Sequence, residues 1–202
     1  MRAVVSKGRL AERSDATRAA LVAAAREVFA ELGFSETTVD HVVQRAGVTR
    51  GALYHHFASK EELFGAVYEV VEKELAERSM VEALRGRTPM SRLQRGIDAF
   101  LDACLEPAVQ RIVLLDALSV LGWESWHEIG VRYNFGLMVI GLQGAVDDGA
   151  IPRRPVEPLA HLVQGAVMRA GMVIARADDP AAARKAVGAE LRALLAGLRS
   201  RP

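Results

Sequence analysis

Cysteine is nearly absent: Cys104 is the only one in 202 residues, so no internal disulfide can form and a reducing, cytoplasmic setting fits. Aromatic residues make up only 5% of the chain, and no alternating strand pattern persists anywhere. Alanine and leucine are abundant instead, which makes all-α the natural class. No run of about 18 uninterrupted apolar residues occurs, so a membrane span is not expected. The first residues carry Arg2, Lys7, Arg9 and Arg13 without an apolar stretch behind them, and no secretory signal is visible. Phosphate-loop, dinucleotide and zinc-helix motifs are missing, as is any Cys/His metal spacing. His55 and His56 are adjacent, so a helix would point their rings in different directions. No metal, cofactor or catalytic residue is assigned, and there are no internal repeats.

Half of the residues are hydrophobic, enough for a sizeable core. The formal net charge is only +1, but it is not evenly spread. Residues 1–60 carry nine Lys/Arg against six Asp/Glu, and the remainder seventeen against nineteen. A phosphate-binding surface needs local cations more than a large total.

The informative stretch runs from Thr37 to Leu63. Val39, Val42, Val43 and Ala46 recur at helical spacing, with Thr37 or Thr38 as cap. Gly47 stands where a helix ends in a left-handed residue. Thr49 is the next available cap, opening a short helix through Phe57 in which Leu53 and Phe57 face inward. Ser59-Lys60-Glu61-Glu62 has the form of a capping box and starts a longer helix. Two helices joined by a short glycine turn make a helix-turn-helix, whose second helix enters a DNA major groove.

Gly33-Phe34, Thr37-Thr38-Val39, Ala46-Gly47-Val48-Thr49-Arg50-Gly51-Ala52-Leu53-Tyr54, His56-Phe57, Lys60-Glu61 and Leu63 together resemble the signature of the tetracycline-repressor (TetR) family, over about the first third of the chain. Val43 departs from it, standing where the family usually has alanine. The resemblance implies a homodimeric one-component transcriptional regulator, most simply a repressor that a small molecule releases from a palindromic DNA operator. Thr38, Thr49, Arg50, Gly51, Ala52, Tyr54, His55 and Lys60 are then the candidate DNA-binding residues. Arginine can donate two hydrogen bonds to guanine, and tyrosine can reach phosphate or a thymine methyl. Thr38 and Lys60, at helix N-termini, suit phosphates.

The rest of the chain divides around this unit. Residues 1–13 read as a flexible basic arm and 14–60 as the DNA-binding domain, with a first helix capped by Ser14 or Asp15 and closed by Gly33. Residues 61–202 form an effector-binding and dimerisation domain, for about nine helices in all. The helix from Lys60 to about Arg85 is expected to turn Leu63, Phe64, Val67, Val70, Val71 and Leu75 inward and Glu69, Glu72 and Glu74 to water. Helices follow over 89–105, 107–121, 122–148, 156–177 and 180–198.

Trp123, Trp126 and His127 fall on one helical face, with Phe100, Cys104, Tyr133 and Met138 as expected neighbours. Core packing is the plainer reading of that group and an effector cavity the sharper one. Gly130, Gly136, Gly141 and Gly144 on the same presumed helix favour the cavity, because each is disfavoured there by about 1 kcal/mol against alanine. Asp116 either binds the effector or pairs with Arg111 or Arg132, the pairing being preferred because an unpaired buried charge is costly. An enzyme using Asp116, His127 and Glu128 lacks a nucleophile or metal and is the weaker alternative. Leu162, Gly165, Met168 and Met172, with Leu191 and Leu194 on the last helix, form a second apolar face expected to meet a two-fold partner.

Overall fold

A computed structural model describes the backbone of residues 2–199 and the side chains of residues 13–199, and every regular element among them is helical. The elements are α1 (Arg2–Glu36), α2 (Val39–Ala46), α3 (Arg50–His56), α4 (Lys60–Leu84), α5 (Pro89–Ala103), α6 (Ala117–Gly130), α7 (Gly136–Asp147), α8 (Val156–Ala175) and α9 (Pro180–Gly197). Two π-helical stretches, Val109–Asp116 and Val131–Phe135, lead into α6 and α7.

α1 does not begin at a Ser14 or Asp15 cap. Its helical backbone runs from Arg2, since no proline interrupts the chain before Pro89. The side chains of the expected arm before Arg13 lie outside the described residues. The far end matches expectation: Gly33 takes φ 77°, a left-handed value that breaks the α pattern. Leu21, Ala25, Val28 and Phe29 of α1 are buried with Val42, Leu53, Phe57, Leu63 and Phe64 in the core. The rings of Phe29, Phe34 and Phe64 meet at centroid distances of 5.9, 5.1 and 5.3 Å, joining the end of α1 to the start of α4.

The inward stripe of α4 is Leu63, Phe64, Val67, Tyr68, Val71, Glu72 and Leu75. Spacings of three and four put Tyr68 and Glu72 on the stripe and leave Val70 off it. The expectation therefore fails at two positions: Glu72 is 3% exposed and Val70 38%.

The region expected as two helices over 107–121 and 122–148 is more broken. Gly122 does interrupt the chain at φ 72°, inside α6, and the second π stretch separates α6 from α7. On α7, a side chain at Gly141 would come within 3.0 Å of Leu93, so this glycine permits close approach to α5. α8 is the one described helix long and apolar enough to cross a membrane by length and composition. Its Ala160, Val163, Val167, Ala170 and Ile174 are buried in the core instead. Arg184 of α9 binds Asp98 and Asp102 of α5 at 3.1 and 2.8 Å, fixing the last helix to the bundle.

Candidate nucleic-acid interface and inner cavity

The caps read from the sequence for α2, α3 and α4 are formed. Thr38 Oγ1 accepts from the His41 N–H at 3.3 Å, and His41 Nδ1 accepts the Thr38 N–H at the same distance. Gly47 closes α2 at φ 66°, its N–H reaching the Val43 and Gln44 carbonyls. Thr49 Oγ1 accepts from the Ala52 N–H at 3.2 Å to start α3. Ser59 Oγ accepts from the Glu62 N–H at 3.1 Å, and Glu62 takes the Ala58 N–H at 2.7 Å.

These caps hold α3 with Leu53 inward and Arg50, Gly51, Tyr54 and His55 exposed; Ala52 is half-buried. Tyr54 is 51% exposed, unusual for so large a ring without a partner to cover it. Arg50 Nε lies 3.4 Å from Asp40, an exposed pair that leaves most of the guanidinium open. Thr38 and Thr49 are also exposed at their helix starts.

Lys60, expected at a phosphate, also has partners within the chain. Its ammonium donates to the Phe34 and Thr37 carbonyls, both at 2.8 Å, and lies 4.1 Å from the Phe34 ring centroid. Two donors are thus taken up in holding the carbonyls left open where α1 ends.

The second region encloses a cavity of about 900 Å³ between α4, α5, α6, α7 and α8. Phe100, Trp123, Trp126 and His127 line it as expected. Trp123 stacks on His127 at 5.4 Å and is still 62% exposed, so it stands at the mouth rather than in the core. Cys104 does not line the cavity; it is fully buried, and burial pushes its thiol up to about 12. Tyr133 also turns away from it, donating to Glu69 at 2.9 Å beside the Arg132–Glu69 pair. Asp116 accepts the Phe34 N–H at 2.8 Å and faces Arg111 Nε at 3.5 Å, so it joins the two regions rather than lining the cavity.

Polar groups not singled out from sequence supply the cavity's chemistry. Glu72, buried, accepts from the Asn134 amide and the Tyr68 hydroxyl. Burial raises its pKa to about 7, against the opposing pull of those two hydrogen bonds. His161 of α8 stacks on Phe135 at 4.3 Å, and Gln164 one turn on keeps a buried Oε1 without a donor. The legible signal was Tyr68-to-Glu72 spacing along the inward stripe of α4.

The candidate partner face divides. Leu162 and Leu194 are 74% and 64% exposed, whereas Leu191 is buried at 6% and belongs to the chain's own core. Gly165, Met168 and Met172 line the cavity, so their face is not simply turned outward.

Residues 21–67 match the model of bacterial regulatory proteins of the tetR family, and residues 90–198 match that of the tetracyclin repressor-like C-terminal domain. The chain belongs to the TetR family. A crystal structure of a TetR-family transcriptional regulator from Pectobacterium atrosepticum is 34% identical with a TM-score of 0.84, the match covering 95% of this chain and 98% of that one. The Transposon Tn10 TetC protein of Escherichia coli is 24% identical over 165 residues, or 79% of this chain and 81% of TetC. RolR, solved in complex with resorcinol, shares the fold at a TM-score of 0.71 and 19% identity, over 95% of this chain and 97% of RolR. This TetR-family chain is a helix-turn-helix, DNA-binding transcription regulator and not an enzyme, so the acid-base reading of Asp116, His127 and Glu128 falls.

Proposed function

We propose that this protein is a homodimeric repressor released from a palindromic operator when a small molecule enters the cavity of its C-terminal region. The observation that carries this reading is a shared wall. α4 begins at Lys60, against the end of α1, and continues as the cavity wall through Tyr68, Glu72, Met80 and Leu84. A ligand that shifts α4 therefore tilts the unit carrying α3, and operator half-sites about 34–36 Å apart admit little change in reading-helix separation. RolR with resorcinol, a fold relative, has an organic ligand, which supports an effector here.

In this reading residues 14–60 bind DNA and 61–202 bind effector and partner, with the residues before them an N-terminal arm and the cytoplasm the site of action. Arg50, Tyr54 and His55 read bases or phosphates from α3, with Thr38, Thr49, Gly51 and Ala52 shaping the approach. Exposed Leu162 and Leu194 on the last two helices support the dimer. The test is operator selection from genomic fragments, followed by release assays read by tryptophan fluorescence. A selected palindrome and a compound that both releases it and changes Trp123 or Trp126 emission are expected; sequence-independent binding would overturn the assignment.

A further inference from the structure

Beyond the exposed first turn of α4, Glu72 is the exception among the helix's carboxylates. Glu69 pairs with Arg132, Glu74 with Arg26, Glu77 with Lys73, and Glu82 with Arg85 and Arg95. Glu72, the buried one, has no Lys or Arg partner among the described residues, only the neutral donors Tyr68 and Asn134. A buried carboxylate without a countercharge is costly, and its surroundings are shaped to accept one. On α8, which also lines the cavity, Gln164 Oε1 is a buried acceptor without a donor. Tyr68, Phe100, Trp126 and Phe135 add aromatic surface to the same cavity, and such faces attract cations.

We propose that the cavity's ligand is an elongated apolar amine whose ammonium faces Glu72, with Gln164 as a further acceptor and the hydrocarbon part along α4 and α5. This deepens the effector reading above and rests on it. Apolar side chains continue from there through Met80, Leu84, Leu93 and Ile97, a lining that suits a chain better than a compact polar molecule. Arg92 and Arg169 also border the cavity, and both are exposed. They would favour an anionic head instead, which makes head-group charge the deciding variable.

The experiment holds the tail constant and changes the head. Decylammonium, decanol and decanoate are titrated into the full-length protein by calorimetry at pH 7.5, and each is then tested for release of the selected operator. Decylammonium is expected to bind about tenfold more tightly than decanol, the difference between a charge-assisted and a neutral buried hydrogen bond. Decanoate should be the weakest. In Glu72→Gln the ammonium preference should fall to about parity, with thermal melting as the folding check. The wild-type ranking needs no variant, so the test survives a Glu72→Gln chain that does not fold. Decanoate binding most tightly, or decanol matching the amine, overturns the proposal while leaving an effector cavity in place. If none of the three binds, the proposal falls; the effector reading falls with it only when a broad compound library also leaves operator binding unchanged.

Discussion

The Phe34 N–H donates to the Asp116 carboxylate across 2.8 Å, tying the end of α1 to the start of α6. The bond exists because Gly33 breaks the helix at φ 77°, turning the next N–H away from the α1 ladder. Arg111 completes the junction, reaching the Leu32 carbonyl at 3.4 Å and Asp116 at 3.5 Å. Asp116→Ala leaves a part-buried N–H without its acceptor and should cost about 1–3 kcal/mol of stability. Hydrogen exchange at the Phe34 amide should accelerate more than at Leu53 in α3. Unchanged exchange at Phe34 would show that the junction is not held by this bond.

Arg50, Tyr54 and Lys60 should separate DNA contact from structural support. Arg50→Ala or Tyr54→Ala removes an exposed side chain of α3 and should weaken operator binding by about 1–3 kcal/mol without shifting the melting temperature. Lys60→Met should instead lower the melting temperature, since two carbonyls lose a charged donor at 2.8 Å. Gel-shift titration beside differential scanning calorimetry reads both. A Lys60→Met chain that melts like wild type would return Lys60 to the phosphate-contact role.

Glu72 sets a pH dependence of stability with a definite sign. Its pKa is raised from 4.5 to about 7 by burial, so the folded chain holds a proton that the unfolded chain has released. Its contribution is intact below about 4.5, declines as pH rises towards 7, and is constant above that. Glu72→Gln removes the titration and should gain about 3 kcal/mol over wild type at pH 8 relative to the difference at pH 4. Urea unfolding of both chains across this range measures it. A constant difference between the two would contradict the assignment.

Leu162 and Leu194 are the exposed apolar residues of the last two helices best placed to meet a partner. Leu162→Glu with Leu194→Glu should shift the protein to monomer in sedimentation equilibrium and abolish binding to a two-half-site operator. Leu191→Glu is the control: its buried position predicts unfolding rather than clean dissociation. A wild-type chain already monomeric at micromolar concentration would remove the dimer from the mechanism.

What the sequence by itself determined is local. Thr38, Gly47, Thr49 and Ser59 act on backbone groups within four residues, so their caps and the turn between α2 and α3 follow from chain order. The inward stripe of α1 and the break at Gly33 are of the same kind. Long-range contacts decided the rest. Lys60 reaches the Phe34 and Thr37 carbonyls because the end of α1 lies beside it, 23 to 26 residues back in the chain. Asp116 found its partner 82 residues away, and Leu191 was covered by the core rather than left for a partner. Glu72 shows the division most sharply: its charge argued for water, but its place on the α4 stripe, with Asn134 arriving from 62 residues on, put it inside. Spacing along one helix can say which residues share a face; which face is buried depends on the helices that pack against it.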